Sequence, residues 1–346
     1  MQAATVRRYG GPDVVRIERL PFPEPKPGEV RIRVTAAAVT SADARLRAND
    51  APRGFGLIMR VITGVIRPRN PVPGMEFAGR VDAIGKNATG FSIGQRVCGI
   101  TGLAGGAQAE YLTIKADARL LPLPETLTDA EGAAFFFGGL TAADFILDKA
   151  RLLPGERLLI NGATGSVGSA ALQIARHLGA NTTAVCSAEN AEFAKGLGAN
   201  AVIDYRAGPL CGRWDVILDV VGSLPYPKAA PLLADGGRLL PVTATLGEQL
   251  SYALRPKRGL HLITGGIIAD AKPAMQRLLR LHATGTYRPI VEELPFAEIA
   301  TAHARAGSRH RRGNTVVVMQ SDGKGETLPA ADGLPQVDPQ CDQTPA

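Results

Sequence analysis

The rhythm of apolar and polar positions changes twice along this chain. Up to about residue 120, short apolar runs are separated by turn residues. Glu29–Ala38 (EVRIRVTAAA) alternates, Glu76–Ile84 and Gln95–Ile100 are further runs, and Gly94-Gln95 supplies a turn. A period of two with this punctuation predicts half-buried strands. Pro21, Pro23, Pro25 and Pro27 predict a stiff, extended connector. Asp50–Asn70 keeps neither period, and we expect a mobile flap or a partly helical loop there.

From about residue 125 the pattern becomes helical. Thr128–Phe137 and Thr141–Ala150 predict two helices. Strands and helices then alternate: strand Thr182–Cys186, helix Ala191–Leu197, strands Ala201–Asp204 and Trp214–Val220, helix Pro227–Ala234, strand Gly237–Val242, strand Leu260–Thr264 and helix Lys272–Thr284. Such alternation predicts a parallel sheet covered on both faces. A β-type pattern then returns, ending in a strand at Thr315–Met319. The expected organisation is a β-rich domain at 1–124, an inserted α/β domain at 125–285, and a return to the first domain at 286–320. Residues 321–346 are poor in apolar residues and rich in Pro, Asp and Gln, so disorder is expected.

The segment Arg157–Ala180 (RLLINGATGSVGSAALQIARHLGA) carries the first chemical signal. Leu158, Leu159 and Ile160 predict a buried strand. Gly162, Gly165 and Gly168 follow at spacings of three, Ala170–Leu178 is helical, and Gly179 is a stop. A strand, a glycine turn and a helix start together form a cradle for a dinucleotide pyrophosphate. The glycines permit close backbone approach, and the helix start offers free N–H groups and a positive dipole end. The candidate pyrophosphate residues are Gly162, Ala163, Thr164, Gly165, Ser166, Val167 and Gly168. The competing reading is a tight turn needed only for packing.

An NAD-type site places an acid at the end of the next strand, on the ribose 2′-hydroxyl. Here that strand ends Ala184-Val185-Cys186-Ser187, with no acid, so a 2′-phosphate meets no direct repulsion and Ser187 is a candidate donor to it. Val220, Val221 and Gly222 end the fourth strand, where the crevice of such a sheet receives ligand.

Composition narrows the class. The 346 residues are 45% hydrophobic and 21% charged, which suits an ordinary globular protein of two domains. No apolar run approaches the roughly 20 residues of a membrane span, and the N-terminus has no leader pattern, so we expect a cytoplasmic protein without membrane contact. Cys98, Cys186, Cys211 and Cys341 are scattered, which argues against a disulfide framework or a clustered zinc site. The net charge is +7, although the last 26 residues carry five carboxylates against one lysine. The densest basic run, Arg305–Arg312, is short and lacks interleaved aromatics, so nucleic acid is not an expected partner.

Taken in order, PGEVRIRVTAAAVTSAD (27–43), PGMEFAGRVDAIG (73–85), FSIGQRVCG (91–99), GGAQAEYL (105–112), GGLTAADF (138–145), the glycine turn, LGANAVIDYR (197–206), WDVILDVVG (214–222) and RGNTVVV (312–318) resemble the medium-chain dehydrogenase/reductase superfamily, in its zinc-free quinone oxidoreductase-like branch. The resemblance implies an α/β fold in which a Rossmann doubly wound parallel sheet is inserted in a GroES-like β-rich catalytic domain, commonly as a homodimer. Zinc-dependent relatives hold their metal at positions that align with Thr40, Met75 and Phe137. A hydroxyl, a thioether and a phenyl ring are a poor zinc set, so no metal is expected. Glu76 matches the acid of that motif.

The resemblance also implies site residues. Tyr205 matches a tyrosine near the adenosine phosphate of NADPH-dependent relatives. Glu189 and Asn190 stand where those relatives often carry Lys or Arg, which weakens a phosphate site and leaves NADH open beside the expected NADPH. Thr141, read as the start of a helix after Gly138-Gly139, resembles a threonine near the nicotinamide; its plain reading is an N-cap. Gly265, Gly266 and Ile267 are expected to line the carboxamide, and Asn314 is a further cofactor candidate. Thr40, Ser41 and Arg45 come from the loop that bears a metal ligand in zinc relatives and are expected to face the cleft. The loops Asp50–Asn70, Phe135–Phe137 and Leu246–Leu254 are expected to set substrate size. The expected activity is reduction of a quinone or an α,β-unsaturated carbonyl. Reduction of an enoyl thioester or a biosynthetic intermediate, or a non-catalytic dinucleotide-binding role, stays open.

Overall fold

The computed structural model describes residues 1–51, 54–117, 119–254, 261–262, 271–308 and 311–319. The strands run β1 (Gln2–Val6), β2 (Val15–Arg19), β3 (Glu29–Val39), β4 (Glu76–Ile84), β5 (Arg96–Ile100), β6 (Tyr111–Lys115), β7 (Leu120–Pro122), β8 (Arg157–Asn161), β9 (Asn181–Cys186), β10 (Ala201–Asp204), β11 (Trp214–Asp219), β12 (Leu233–Pro241), β13 (His261–Leu262), β14 (Val291–Pro295) and β15 (Asn314–Val318). The helices are α1 (Ser41–Ala48), α2 (Gly56–Thr63), α3 (Asp129–Ala133), α4 (Phe136–Ala143), α5 (Ser166–His177), α6 (Ala191–Gly196), α7 (Tyr226–Ala229), α8 (Leu246–Leu254), α9 (Ala271–Ala283) and α10 (Ile299–Gly307).

Six strands form one parallel sheet in the order β10-β9-β8-β11-β12-β13. Counted along the chain from β8 this is 3-2-1-4-5-6, the doubly wound arrangement, and the order reverses between β8 and β11. Alternation along β8 shows how both faces are covered. Leu158 and Ile160 pack into a core shared with α4 and α5, while Leu159 joins Trp214, Ile217 and Leu239 on the opposite face. The second sheet has the order β14-β15-β3-β4-β5-β7, with β6 paired to β3. The late strands β14 and β15 therefore complete a sheet begun by the N-terminal residues, because β15 lies antiparallel to β3. Its interior is filled by Val30, Ile32, Phe77, Val97 and Leu120.

Helix α4 joins the two sheets, and here the helical reading of the sequence fails. Gly138-Gly139 read as a break between two helices. Instead α3 ends after Ala133, and α4 runs straight through both glycines into π-helical turns at Asp144–Lys149. The glycines serve proximity. A Cβ at Gly138 would lie 2.2 Å from Ser166 Oγ, and one at Gly139 would lie 2.7 Å from the Tyr287 ring and 2.6 Å from Leu278. Thr141 is accordingly neither a helix start nor an N-cap. It sits inside α4, and its hydroxyl donates to the Phe137 carbonyl at 2.7 Å.

Other boundaries move for local reasons. The segment read as helix Pro227–Ala234 is α7 followed by a 3-10 turn ending at Leu232, and β12 already begins at Leu233. Leu246–Leu254, expected as a loop, is helix α8, whose start is capped by Thr245 accepting from Glu248 N–H at 3.2 Å. The expected flap contains helix α2. Gly265, Gly266, Ile267 and the tail 321–346 lie outside the described residues.

Gly138→Ala should therefore cost about 1–3 kcal/mol of stability in urea unfolding, as overpacking does. Gly196→Ala, where a Cβ meets nothing within 4 Å, should be neutral or stabilising by up to about 1 kcal/mol. Equal effects would contradict this account of α4.

Candidate active site

Residues 313–315 draw the chemistry of both domains together. The register of β15 on β3 sets Thr315 opposite Val39, which brings Asn314 beside Thr40. One residue earlier, Gly313 bridges Gly165, and its N–H donates to the Thr164 carbonyl at 2.8 Å. The loop after β3 and the glycine turn after β8 thus share one cleft.

The glycine turn has the geometry of a backbone cradle. Gly162 has φ of 86°, and a Cβ there would meet Val221 Cγ2 at 2.6 Å. A Cβ on Gly168 would stand 2.2 Å from the Gly162 carbonyl oxygen, so only glycine lets α5 approach β8 this closely. Gly165 is the extended N-cap of α5, and Ser169 N–H is bonded to its carbonyl at 2.8 Å. The N–H groups of Ser166, Val167 and Gly168 lie in the first turn, where no intrahelical acceptor exists. The Ser166 and Thr243 hydroxyls are buried without a hydrogen-bond partner among the described residues. Thr243 faces Gly222 across the same crevice. Free first-turn N–H groups, orphaned hydroxyls and a space no side chain fills together fit a bound dinucleotide.

The end of β11 is organised by a residue that sequence reasoning missed. Asp219 is buried, and its carboxylate accepts from Gly222 N–H at 2.9 Å, Leu224 N–H at 2.8 Å and the Asn161 amide at 2.8 Å. It fixes the Val220-Val221-Gly222 turn beside Gly162. A carboxylate inside the apolar run WDVILDVVG was the available signal.

The adenosine end differs from the expected picture. Glu189 does occupy the surface beside Ser187, but Arg206 pairs with its carboxylate at 2.8 Å, and the Ser187 hydroxyl and Arg206 help hold the acid down at about 2. Asn190 is gripped by Arg312, whose Nε donates to its amide oxygen at 2.6 Å while another nitrogen reaches the Glu189 carbonyl at 2.9 Å. Two arginines therefore stand at the position that read as depleted of cations. Tyr205 lies beside them, its ring 5.4 Å from the Arg206 guanidinium. Lys195, a further cation near this surface in sequence, is engaged with Glu192 at 2.9 Å. Arg312 was visible only as part of a basic run distant in sequence. Its neighbour Arg311 approaches Gly165 and feels the charge of Arg45, which with burial lowers its pKa. The Asn314 amide donates to the Ile290 carbonyl at 3.0 Å, a structural bond.

On the facing side, Thr40 caps α1. Its hydroxyl donates to Asp43 Oδ2 at 2.6 Å and accepts from Asp43 N–H at 3.1 Å, a reciprocal capping box. Its proton is thereby committed, and Ser41 and Arg45 follow it on the first turns of the helix. Asp43 also accepts from Gly74 N–H at 3.1 Å, tying α1 to the strand that leads to Glu76. Burial pushes the Asp43 carboxyl up to about 6 despite these bonds.

Glu76 is 1% exposed, and neither of its carboxylate oxygens has a hydrogen-bond partner among the described residues. Burial pushes its carboxyl well above the usual range. The N–H groups of Phe137 and Phe136 at the start of α4, aimed at the carboxylate without reaching hydrogen-bond geometry, offset this only in part, and Asp43 adds to it. The Thr40 hydroxyl, Met75 thioether and Phe137 ring do not fit a zinc ion, and no group of three metal-ligating side chains occurs among the described residues.

Residues 26–125 match the alcohol dehydrogenase GroES-like domain family, and residues 197–317 match the zinc-binding dehydrogenase family. Quinone oxidoreductase from Sus scrofa is 29% identical over 320 residues, covering 88% of this chain and 93% of that protein. The solved quinone oxidoreductase of Coxiella burnetii superposes with a TM-score of 0.80 at 25% identity, over 92% of this chain and 99% of that one. The Escherichia coli quinone oxidoreductase complexed with NADPH gives 0.76 at 23% identity, over 92% and 100%. The chain belongs to the medium-chain dehydrogenase/reductase superfamily. Within this superfamily it falls in the quinone oxidoreductase-like branch, and it is an NAD(P)H-dependent oxidoreductase.

The raised Glu76 carboxyl gives a stability test. An acid whose folded pKa lies above its unfolded value binds protons preferentially when folded, so stability falls as pH rises above about 4.5. Glu76→Gln removes that loss. The melting temperature of the variant relative to the parent should climb between pH 5 and pH 8; a pH-independent difference would show that Glu76 ionises normally.

Proposed function

We propose that this oxidoreductase transfers hydride from NADPH to a quinone or an α,β-unsaturated carbonyl without a catalytic zinc ion. The observation that carries the reading is the glycine-turn cradle at Gly162–Gly168, tied through Gly313 to the strand beside Thr40. With it goes the chemistry of Thr40, Met75 and Phe137, which align with the zinc ligands of relatives and are poor donors to that metal. Bound NADPH supplies the hydride. The protein supplies position and electrostatics. The first turn of α5 takes the pyrophosphate. Val221 and Gly222, set by Asp219, hold the crevice open beside Gly162. Ser187, Tyr205, Arg206 and Arg312 receive the 2′-phosphate, and the NADPH bound by the Escherichia coli relative supports this choice.

No side chain here is a poised acid for the reduced oxygen. The Thr40 proton is held by Asp43, and the Thr141 proton is held by Phe137. A quinone suits such a site, because its reduced oxygens take protons from water. Ser41 and Arg45 remain as donors able to steady the developing oxyanion.

The test is NADPH oxidation with 1,4-benzoquinone and a 2-alkenal as parallel acceptors, each with and without EDTA. Turnover with at least one acceptor, unchanged by chelation, is expected. A folded, NADPH-binding protein that turns over neither, or activity lost to EDTA and restored by zinc, would contradict the proposal.

Arg312→Ala should raise the KM for NADPH about tenfold, the value of one lost charge-assisted bond at an accessible site, and leave the KM for NADH nearly unchanged. Equal effects on both cofactors would place Arg312 away from the 2′-phosphate.

A further inference from the structure

Helix α2 is amphipathic, and it faces the wrong way for a globular protein. Leu57, Ile58, Val61 and Ile62 recur at i, i+1, i+4 and i+5, which puts them on one stripe of the helix. That stripe points to solvent. Leu57 is 77% exposed and Ile58, Val61 and Ile62 about half, and Ile66, just beyond the helix, is 88% exposed. The opposite side is the half-buried one, with Met59 and Thr63 turned inward. The end of the helix is anchored from outside it: Tyr9 donates its hydroxyl proton to the Gly64 carbonyl at 2.7 Å, and its oxygen lies 3.3 Å from the Thr63 hydroxyl.

The charges carried by this segment itself are of one sign. Residues 54–75 contain Arg60, Arg67 and Arg69 and no Asp or Glu. All three arginines are exposed, and none forms an ion pair among the described residues. An exposed apolar stripe whose own segment carries only cations is complementary to a surface that offers both hydrocarbon and negative charge. An anionic bilayer does so, and it takes helices of this kind lying in its interface with no need for a spanning length. A second copy of this chain would bring cations against cations.

We propose that α2 and the following turn through Arg69 form a docking surface for an anionic membrane, with Leu57, Ile58, Val61 and Ile66 entering the headgroup boundary and the arginines engaging lipid phosphates. This departs from the sequence expectation of no membrane contact, which rested on the lack of a spanning segment. No helix among the described residues is long and apolar enough to cross a membrane, and a surface-lying helix needs no such length. The position of the helix has a consequence. Ile62 and Thr63 line a cavity of about 240 Å³ that also touches Asp43 and Met75 of the candidate active site. A docked protein would hold that cavity next to the lipid.

The experiment is vesicle co-sedimentation of the full chain, using pure phosphatidylcholine and a phosphatidylcholine–phosphatidylglycerol mixture. The parent protein should pellet with the mixed vesicles, stay in solution with phosphatidylcholine alone, and be released by high salt. The double variant I58D/V61D should lose at least tenfold in apparent affinity while keeping its melting temperature and NADPH binding. Equal pelleting of parent and variant, or no pelleting of the parent, would overturn the proposal. So would a parent dimer, measured by light scattering, that the same variant dissolves, since the stripe would then be an interface between copies.

Discussion

One contact without room for a side chain governs the cofactor half of this molecule. The Gly162 carbonyl oxygen stands where a Cβ on Gly168 would have to be, 2.2 Å away. Because that space is empty, α5 starts directly on the end of β8, and its first-turn N–H groups open into the crevice where the strand order reverses. The same principle is applied again at Gly138, which lets α4 lie against Ser166. Backbone proximity, rather than any single reactive side chain, positions this site.

The catalytic side depends on that proximity. With α4 seated on α5, its N-terminal residues Phe136 and Phe137 face Glu76 from the other sheet. With Gly313 bridged to Gly165, the strand beside Thr40 is tied to the glycine turn. Two buried acids, Glu76 and Asp43, lie on this seam, and burial favours the protonated form of each. Asp43 is compensated by the α1 cap and Gly74. Glu76 has no hydrogen bond of that kind, only the N–H groups of Phe136 and Phe137 turned toward it.

Much of this was legible in the sequence for physical reasons. The glycine turn, β8 and β11 follow from buried runs with clear punctuation, since a strand covered on both faces leaves little ambiguity. The order of the sheet strands does not follow from the alternation alone; the doubly wound arrangement was implied by the family resemblance. What failed were residues whose local habit opposes their tertiary role. Gly138 and Gly139 break helices in isolation, yet here they remain helical because a larger residue would strike Ser166 or Tyr287. Leu246–Leu254 lacks obvious stops, and its cap at Thr245 is a side-chain bond no periodicity shows. The cation set at Ser187 was half legible: Arg206 follows Tyr205 in sequence and read as a nearby cation, whereas Arg312 arrives from more than a hundred residues away. Helix α2 could be seen as mixed, but that its apolar stripe faces outward cannot be read from its own residues.

The account is tested most directly by equilibrium titration of the purified chain with NADPH and NADH, followed by nicotinamide fluorescence. It predicts saturable binding of both, tighter for NADPH at low salt, with the advantage shrinking as salt screens Arg206 and Arg312. Failure of either nucleotide to bind saturably, or tighter binding of NADH at every salt concentration, would contradict the cradle and phosphate site described above.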